Sequence, residues 1–344
     1  MEIVEYFGAD ADVQRHLRRE LDRCDWRAGK YLRRMLEERM FIPMLGSTGK
    51  VFFLLDGKTL VSFLTFTPQD SVVEPDLTPW IGFAFTFPEY RGHRYLGRLL
   101  DHARKCAAAN GAPFVFLLTP HNGLYEKYGF SYWGIRRGVD GADCRMYYAP
   151  AADITAVAEN MQSRAREVVR RSGVREAWKK IGAKVNLVGS LATGLLIKHR
   201  DIDFHIYTDN LDAEKSREVV ARLCSDPHFK LLEHRDLAAT KEACLEWHLR
   251  YDLDGEAWRI DLIQILTGSR FDGFFERVAE RIKAVLTPET RRAILELKFL
   301  TPEYEHIAGI EYYHAVIADG VRTYGEFSAW RETHPVAGID RWCP

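Results

Sequence analysis

Three aspartates and a Gly-Ser turn are the residues of this chain whose types and spacing best suit chemistry. In residues 188–204, VGSLATGLLIKHRDIDF, an apolar strand end runs into Gly189-Ser190, and after ten intervening residues Asp201 and Asp203 flank Ile202. Residues two apart on a strand point to one face, so the two carboxylates look the same way. They repel each other unless a cation lies between them. A pair of hard oxygen donors suits Mg²⁺, which takes one or two protein carboxylates and fills its shell with water and phosphate oxygens. The Gly-Ser turn offers backbone N–H groups and a hydroxyl to a phosphate. Residues 257–266, AWRIDLIQIL, place Asp261 inside an apolar strand, where a carboxylate needs a partner. A metal shared with Asp201 and Asp203 would supply one. A phosphate cradle with a metal pair is the apparatus of phosphoryl or nucleotidyl transfer.

This order, Gly-Ser, Asp-x-Asp, then an acidic residue on a later strand, resembles the nucleotidyltransferase fold of the DNA polymerase beta superfamily, and the spacing matches its small-molecule and minimal members. The resemblance implies Asp201, Asp203 and Asp261 as Mg²⁺ ligands, with Asp261 also a candidate base for the acceptor hydroxyl. It implies Gly189 and Ser190 as the phosphate-holding turn, and an NTP, ATP first among them, as co-substrate. The chain departs from the family at Ala192-Thr193-Gly194, where Ala-Arg-Gly is usual, and at Arg200, where Ser is frequent. On this pattern Asp261→Asn is expected to abolish nucleotide transfer and, in the absence of Mg²⁺, to leave the melting temperature unchanged or raised, since it relieves repulsion among the carboxylates.

A second constellation stands upstream. Residues 80–87, WIGFAFTF, read as a strand. Arg91-Gly92-His93-Arg94-Tyr95-Leu96-Gly97 follow, then a helix with Leu96, Leu99, Leu100, Ala103 and Ala107 at helical spacing, and a further strand at 114–118. The first N–H groups of such a helix are unpaired and its dipole favours anions. Residues 124–130, LYEKYGF, form a short helix ended by Gly129. Together these resemble the GNAT acyl-CoA-dependent acetyltransferases. The resemblance covers residues 1–148 and implies an acetyl-CoA cofactor. Its pyrophosphate would lie on Arg91, Gly92, His93, Arg94, Tyr95 and Gly97, and Tyr125 would be the general acid that protonates the departing thiolate. No evident base stands on the 80–87 strand; Glu74 and Asp76 precede it in a loop.

The elements that must position these groups give an α/β (α+β) chain: a GNAT-like mixed-sheet domain at 1–148, a helical linker at 149–183, and a nucleotidyltransferase-fold domain with C-terminal helices at 184–344. Two helices at 9–40, a hairpin at 51–66 around Asp56-Gly57 and a hairpin around Asp254-Gly255 follow from apolar patterning and turn residues. Glu246, His248 and Arg250 alternate on one face of the latter hairpin, and His248 could sit near the metals. The basic stretch from Arg164 to Lys180 fits either a solvated helical face or a landing surface for a triphosphate.

The chain has 344 residues, 47% hydrophobic and 28% charged, with formal net charge -1, which argues against general nucleic-acid binding. Its six cysteines match no metal-ligand spacing and suit reduced thiols. No apolar run spans a bilayer; the expected compartment is cytoplasmic, with no membrane partner. The expected activity is a bifunctional transferase, acetyl-CoA-dependent on an amine and Mg²⁺-dependent from an NTP to a hydroxyl. The acceptor would be a small molecule first, with a protein or tRNA open. Two alternatives stand: a single activity, with the GNAT-like half only binding acyl-CoA or acceptor, and a catalytically silent binding protein.

Overall fold

A computed structural model describes residues 1–71, 77–138, 141–336 and 342–344; Glu74 and Asp76 lie outside them. The chain divides into two compact units, Met1–Asp153 and Ile154–Pro344. Among the described residues no helix is long and apolar enough to cross a membrane.

The first unit runs β1 (Glu2–Glu5), α1 (Ala11–Leu21), α2 (Arg27–Glu37), α3 (Phe41–Leu45), β2 (Lys50–Asp56), β3 (Thr59–Thr67), β4 (Trp80–Thr86), α4 (Tyr95–Ala109), β5 (Phe114–Thr119), a 3₁₀ turn at Tyr125–Tyr128, β6 (Ser131–Arg137) and β7 (Asp143–Pro150). Its seven strands lie in the order β1-β2-β3-β4-β5-β7-β6. Within this sheet only β4 and β5 pair in parallel, at Trp80–Phe116 and Ile81–Leu117. Both sheet faces are covered, which is why β2 and β3 read as continuous apolar runs. Val51, Phe53 and Leu55 pack with Leu17, Leu32 and Leu36 on the α1–α2 side. Phe52 and Leu54 pack with Leu99, Leu100 and Ala103 of α4 on the other. Asp10 caps α1 by accepting the N–H groups of Asp12 and Val13.

The second unit runs α5 (Ile154–Arg171), α6 (Val174–Lys179), β8 (Lys184–Val188), α7 (Gly189–Thr193), β9 (Asp201–Thr208), α8 (Ala213–Leu223), β10 (Phe229–Asp236), β11 (Cys244–Leu253), β12 (Glu256–Leu266), α9 (Phe274–Val285), α10 (Pro288–Leu300), α11 (Gly309–Ile317) and α12 (Tyr324–Thr333). The sheet order is β10-β11-β12-β9-β8, with β9 and β12 parallel. Ile202, Phe204 and Ile206 of β9 face a core closed by Ala165, Val168, Trp178, Val219 and Val220. The alternate residues Asp201, Asp203, His205 and Tyr207 therefore take the opposite face. The segment expected to be a linker at 149–183 supplies β7's end and then α5 and α6, whose Ala165, Val168 and Trp178 belong to this core. Two of its cations meet acids of the β11–β12 hairpin: Arg164 pairs with Glu256 at 2.5 Å and Arg171 with Asp254 at 3.6 Å. β10, with Leu231 and Leu232 both exposed, has no apolar alternation that would announce it.

Candidate functional site

In the second unit, sheet register does what residue spacing could only suggest. Asp261 on β12 stands opposite Asp203 on β9, and Arg259 opposite Asp201. On the far side of β12, His248 of β11 stands opposite Asp261. Across three strands the row reads Asp203, Asp261, His248, so the three aspartates meet on one face. They are not equivalent. Asp261 Oδ1 lies 2.7 Å from His248 Nδ1 and accepts from Arg259 Nε at 2.9 Å. Those two partners overcome the effect of burial and hold Asp261 below the usual carboxylate range, and His248 is raised by the same hydrogen bond. Asp203 has no such support. Burial, then Asp261 and Asp201 beside it, push its carboxyl up to about 7. Asp201 is raised as well, by burial, against the pull of His199.

Gly189 opens α7 directly over this cluster, with φ +66°, and a Cβ built there would run into the Asp203 carboxylate. Only glycine lets the turn pass so close to the acid in that left-handed conformation. Ser190 Oγ accepts from Lys298 Nζ at 2.7 Å and lies 3.4 Å from Tyr313 Oη. Lys298 also donates to the Leu195 carbonyl at 3.0 Å. A hydroxyl, an ammonium and the turn's N–H groups thus converge beside the carboxylates. A cavity of about 390 Å³ opens there, lined by Gly189, Ser190, Asp203, Phe275, Val278 and Tyr313 among others.

The donor set fits a hard divalent cation. Asp203 is a buried carboxylate next to two others, whose effect Lys298 and Arg259 offset only in part, the situation a bound cation relieves. Among the described residues no group of three or more His, Cys, Asp or Glu is arranged to hold a metal ion; Asp261 is hydrogen-bonded to Arg259 and His248.

In the first unit, Arg91, Gly92, His93, Arg94, Tyr95 and Gly97 form the turn from β4 into α4. Residues 91–94 are exposed. Arg94 caps α4 in the left-handed region at φ +58°, an unusual state for a long side chain. Gly92 has φ +85° and open space where a Cβ would stand. Gly97 serves packing: its absent Cβ would lie 2.9 Å from the Tyr128 ring. Tyr128 and Tyr125 belong to the same 3₁₀ turn, which Gly129 ends at φ +79°. Tyr125 is buried against Phe130 at 5.8 Å and Tyr147 at 6.2 Å. Burial pushes its hydroxyl up to about 12, so it carries its proton at neutral pH.

Lys298, Tyr313 and Arg259 escaped the sequence pattern. Lys298 follows Ser190 by 108 residues, and a lysine near a helix end has an ordinary role in balancing the dipole. Arg259 alone carried a signal, two residues before Asp261 on an alternating strand.

Residues 27–133 match the family model of an acetyltransferase (GNAT) domain, and residues 171–270 that of a nucleotidyltransferase domain. No curated protein matches the chain. Among solved structures, an aminoglycoside 6'-N-acetyltransferase complexed with coenzyme A is similar over 44% of this chain and 97% of its own, at 17% identity and a TM-score of 0.35. An aminoglycoside 6'-acetyltransferase type Ii is similar over 44% and 97%, at 20% identity and a TM-score of 0.35. The aminoglycoside 6'-N-acetyltransferase from Enterococcus faecium is similar over the same shares, at 16% identity and a TM-score of 0.34. The chain thus joins a GNAT acetyltransferase domain to a nucleotidyltransferase domain, and is a transferase enzyme.

Proposed function

We propose that both halves are catalytic: an acetyl-CoA-dependent N-acetyltransferase, and a Mg²⁺-dependent nucleotidyltransferase that moves NMP from an NTP to a hydroxyl of a small acceptor. The observation that carries the second activity is the row of Asp203 and Asp261 on paired strands beneath Gly189-Ser190. Asp201, Asp203 and Asp261 would hold Mg²⁺, which when bound neutralises phosphate charge and polarises the reacting oxygens. The chain's own groups do the rest. Lys298 and Ser190, already hydrogen-bonded, offer positive charge and a donor to the outer phosphates. The walls of the neighbouring cavity, Phe275 and Val278 with Tyr313, would take an apolar or planar part of a substrate. Arg259 and His248 keep Asp261 ionised, which suits a ligand and makes it a weak base.

In the first half, the N-terminus of α4 with Arg91 and Arg94 would hold the CoA pyrophosphate, and Tyr125, protonated and buried, would give its proton to the departing thiolate. Calorimetric titration with acetyl-CoA, and separately with ATP plus Mg²⁺, tests the proposal. Two independent binding events are expected. One event alone assigns a single working half, and none overturns the proposal.

A further inference from the structure

The first unit holds a carboxylate that neither the α4 turn nor Tyr125 uses. β4 and β5 pair only at Trp80–Phe116 and Ile81–Leu117, and from Gly82 onward they part. The unpaired stretch lies on the side of the α4 turn at the end of β4 and of the Tyr125 turn beyond β5. Strand edges that face a gap offer N–H and C=O groups to an extended chain. An acyl-CoA whose pyrophosphate rests on α4 would enter this gap, and its acyl end would meet the vertex at Gly82.

Asp70 overhangs that vertex. A Cβ at position 82 would lie 3.1 Å from Asp70 Oδ2 and 3.0 Å from Thr65 Oγ1, so glycine keeps the space in which the carboxylate stands. The β3–β4 register slips between Phe63 and Thr65, and Phe83 takes φ +47°. The slip turns Phe83 and Phe85 to the α1–α2 side, where they pack with Phe63. Asp70 accepts the Ser71 N–H at 2.5 Å. Burial pushes its carboxyl up. Among the described residues, the groups facing it are the Thr65 hydroxyl from β3, Gly82 from β4 and Ser71 from its own segment.

Beyond Gly82 the strand continues into an aromatic cluster. Trp26 stacks on Phe85 at 5.7 Å and meets Phe83 at 6.4 Å, and Tyr31 lies against Phe83 at 6.5 Å. Gln69, the neighbour of Asp70, donates to the Met44 carbonyl at 2.7 Å, and Met44 Sδ lies 3.7 Å from Tyr31 Oη. Trp26 and Met44 remain 38% and 43% exposed, a cost the fold has no internal reason to bear. Ring faces beside one carboxylate recognise an organic ammonium. Two cations stand at the rim, Arg91 over Phe85 at 5.6 Å and Arg34 over Tyr31 at 5.5 Å; Arg34 also lies 3.9 Å from Glu38, and Arg91 disfavours a polycation.

We infer that Asp70 and the Trp26–Tyr31–Phe83–Phe85 wall form the acceptor site of the acetyltransferase half, and that the acceptor is an arylalkyl primary monoamine. This rests on the proposal that the half uses acetyl-CoA. Asp70 takes one proton from R–NH₃⁺. The freed nitrogen lone pair forms the N–C bond at the thioester carbonyl, and the C–S bond breaks with its electron pair on sulfur. The thiolate takes a proton from Tyr125, which is restored by the second proton released from nitrogen. The amide and CoA thiol leave, and Asp70 passes its proton to solvent.

The test uses the whole protein and 2-phenylethylamine. Amine binding is measured by tryptophan fluorescence without acetyl-CoA, so that it stands apart from the CoA site. Wild type is expected to bind, and Asp70→Asn and Phe85→Ala each to bind at least about tenfold more weakly. With acetyl-CoA at pH 7, Asp70→Asn should acetylate about 100-fold more slowly with acetyl-CoA affinity unchanged, since base catalysis contributes about that much. The gap should narrow as pH approaches the amine's own pKa of about 10. Wild-type transfer by Asp70→Asn would overturn the inference. So would binding of spermidine or an aminoglycoside where 2-phenylethylamine fails to bind. Absence of acetyl-CoA binding, with amine binding intact, would overturn the acetyltransferase proposal and leave the amine site standing.

Discussion

Neutralising Asp203 should stabilise the metal-free protein, and the gain should depend on pH. The folded state raises this carboxyl to about 7, against about 3.9 for a free aspartate. Its proton affinity is therefore raised about 1,000-fold, equivalent to about 4 kcal/mol. The sign follows from which form the fold disfavours. Below about pH 4 the group is protonated in both states and costs nothing. The cost grows as pH rises above the unfolded value and is complete above about 7. Local relaxation and water entry should halve it, to about 2 kcal/mol. At about 2–4 °C per kcal/mol for a unit of this size, Asp203→Asn should melt about 4–8 °C above wild type at pH 8, and the two should converge near pH 4. Mg²⁺ at pH 8 should then raise the wild-type melting temperature by mass action and leave the variant nearly unmoved. Differential scanning calorimetry from pH 4 to 8, with and without Mg²⁺, reads all of this. A difference that does not change with pH, or a variant less stable at pH 8, would refute the electrostatic account of the cluster.

Asp261→Asn should behave oppositely. It strips a charged partner from Arg259 and His248, so chemical denaturation should show a loss of about 1–3 kcal/mol, where residue spacing alone suggests neutrality or gain. Lys298→Met should raise the KM for ATP about tenfold or more, by removing a charged phosphate donor, with Mg²⁺-induced stabilisation retained. Gly92→Val should weaken acetyl-CoA binding in calorimetry, because it denies φ +85° and fills the space the backbone offers to pyrophosphate; unchanged affinity would place the cofactor elsewhere. Tyr125→Phe should lower kcat for acetyl transfer about 100-fold or more with acetyl-CoA affinity kept, and equal rates would make the tyrosine a packing residue.

The sequence by itself determined the two-domain order and singled out the candidate aspartates and turns, because the patterns that mark them are local. Period-two alternation alone puts Asp201 and Asp203 on one face, and the Asp56-Gly57 and Asp254-Gly255 turns mark their hairpins. Where the linker ends was not local: α5 and α6 have apolar faces that any core could accept, and only the packing of Trp178 and Val168 assigns them to the second unit. β10 was invisible for the converse reason, since an edge strand with Leu231 and Leu232 exposed carries no alternation. The tertiary structure alone decided which way each aspartate's proton affinity moves. Asp203 and Asp261 have the same side chain and the same kind of strand, yet register gives Asp261 hydrogen bonds from Arg259 and His248, while at Asp203 burial and the two neighbouring carboxylates outweigh the more distant Lys298 and Arg259. It alone also brought Lys298 to Ser190 across 108 residues and Asp70 over Gly82. Those pairings depend on how strands and helices close in space, where the identity of a chain neighbour carries no information.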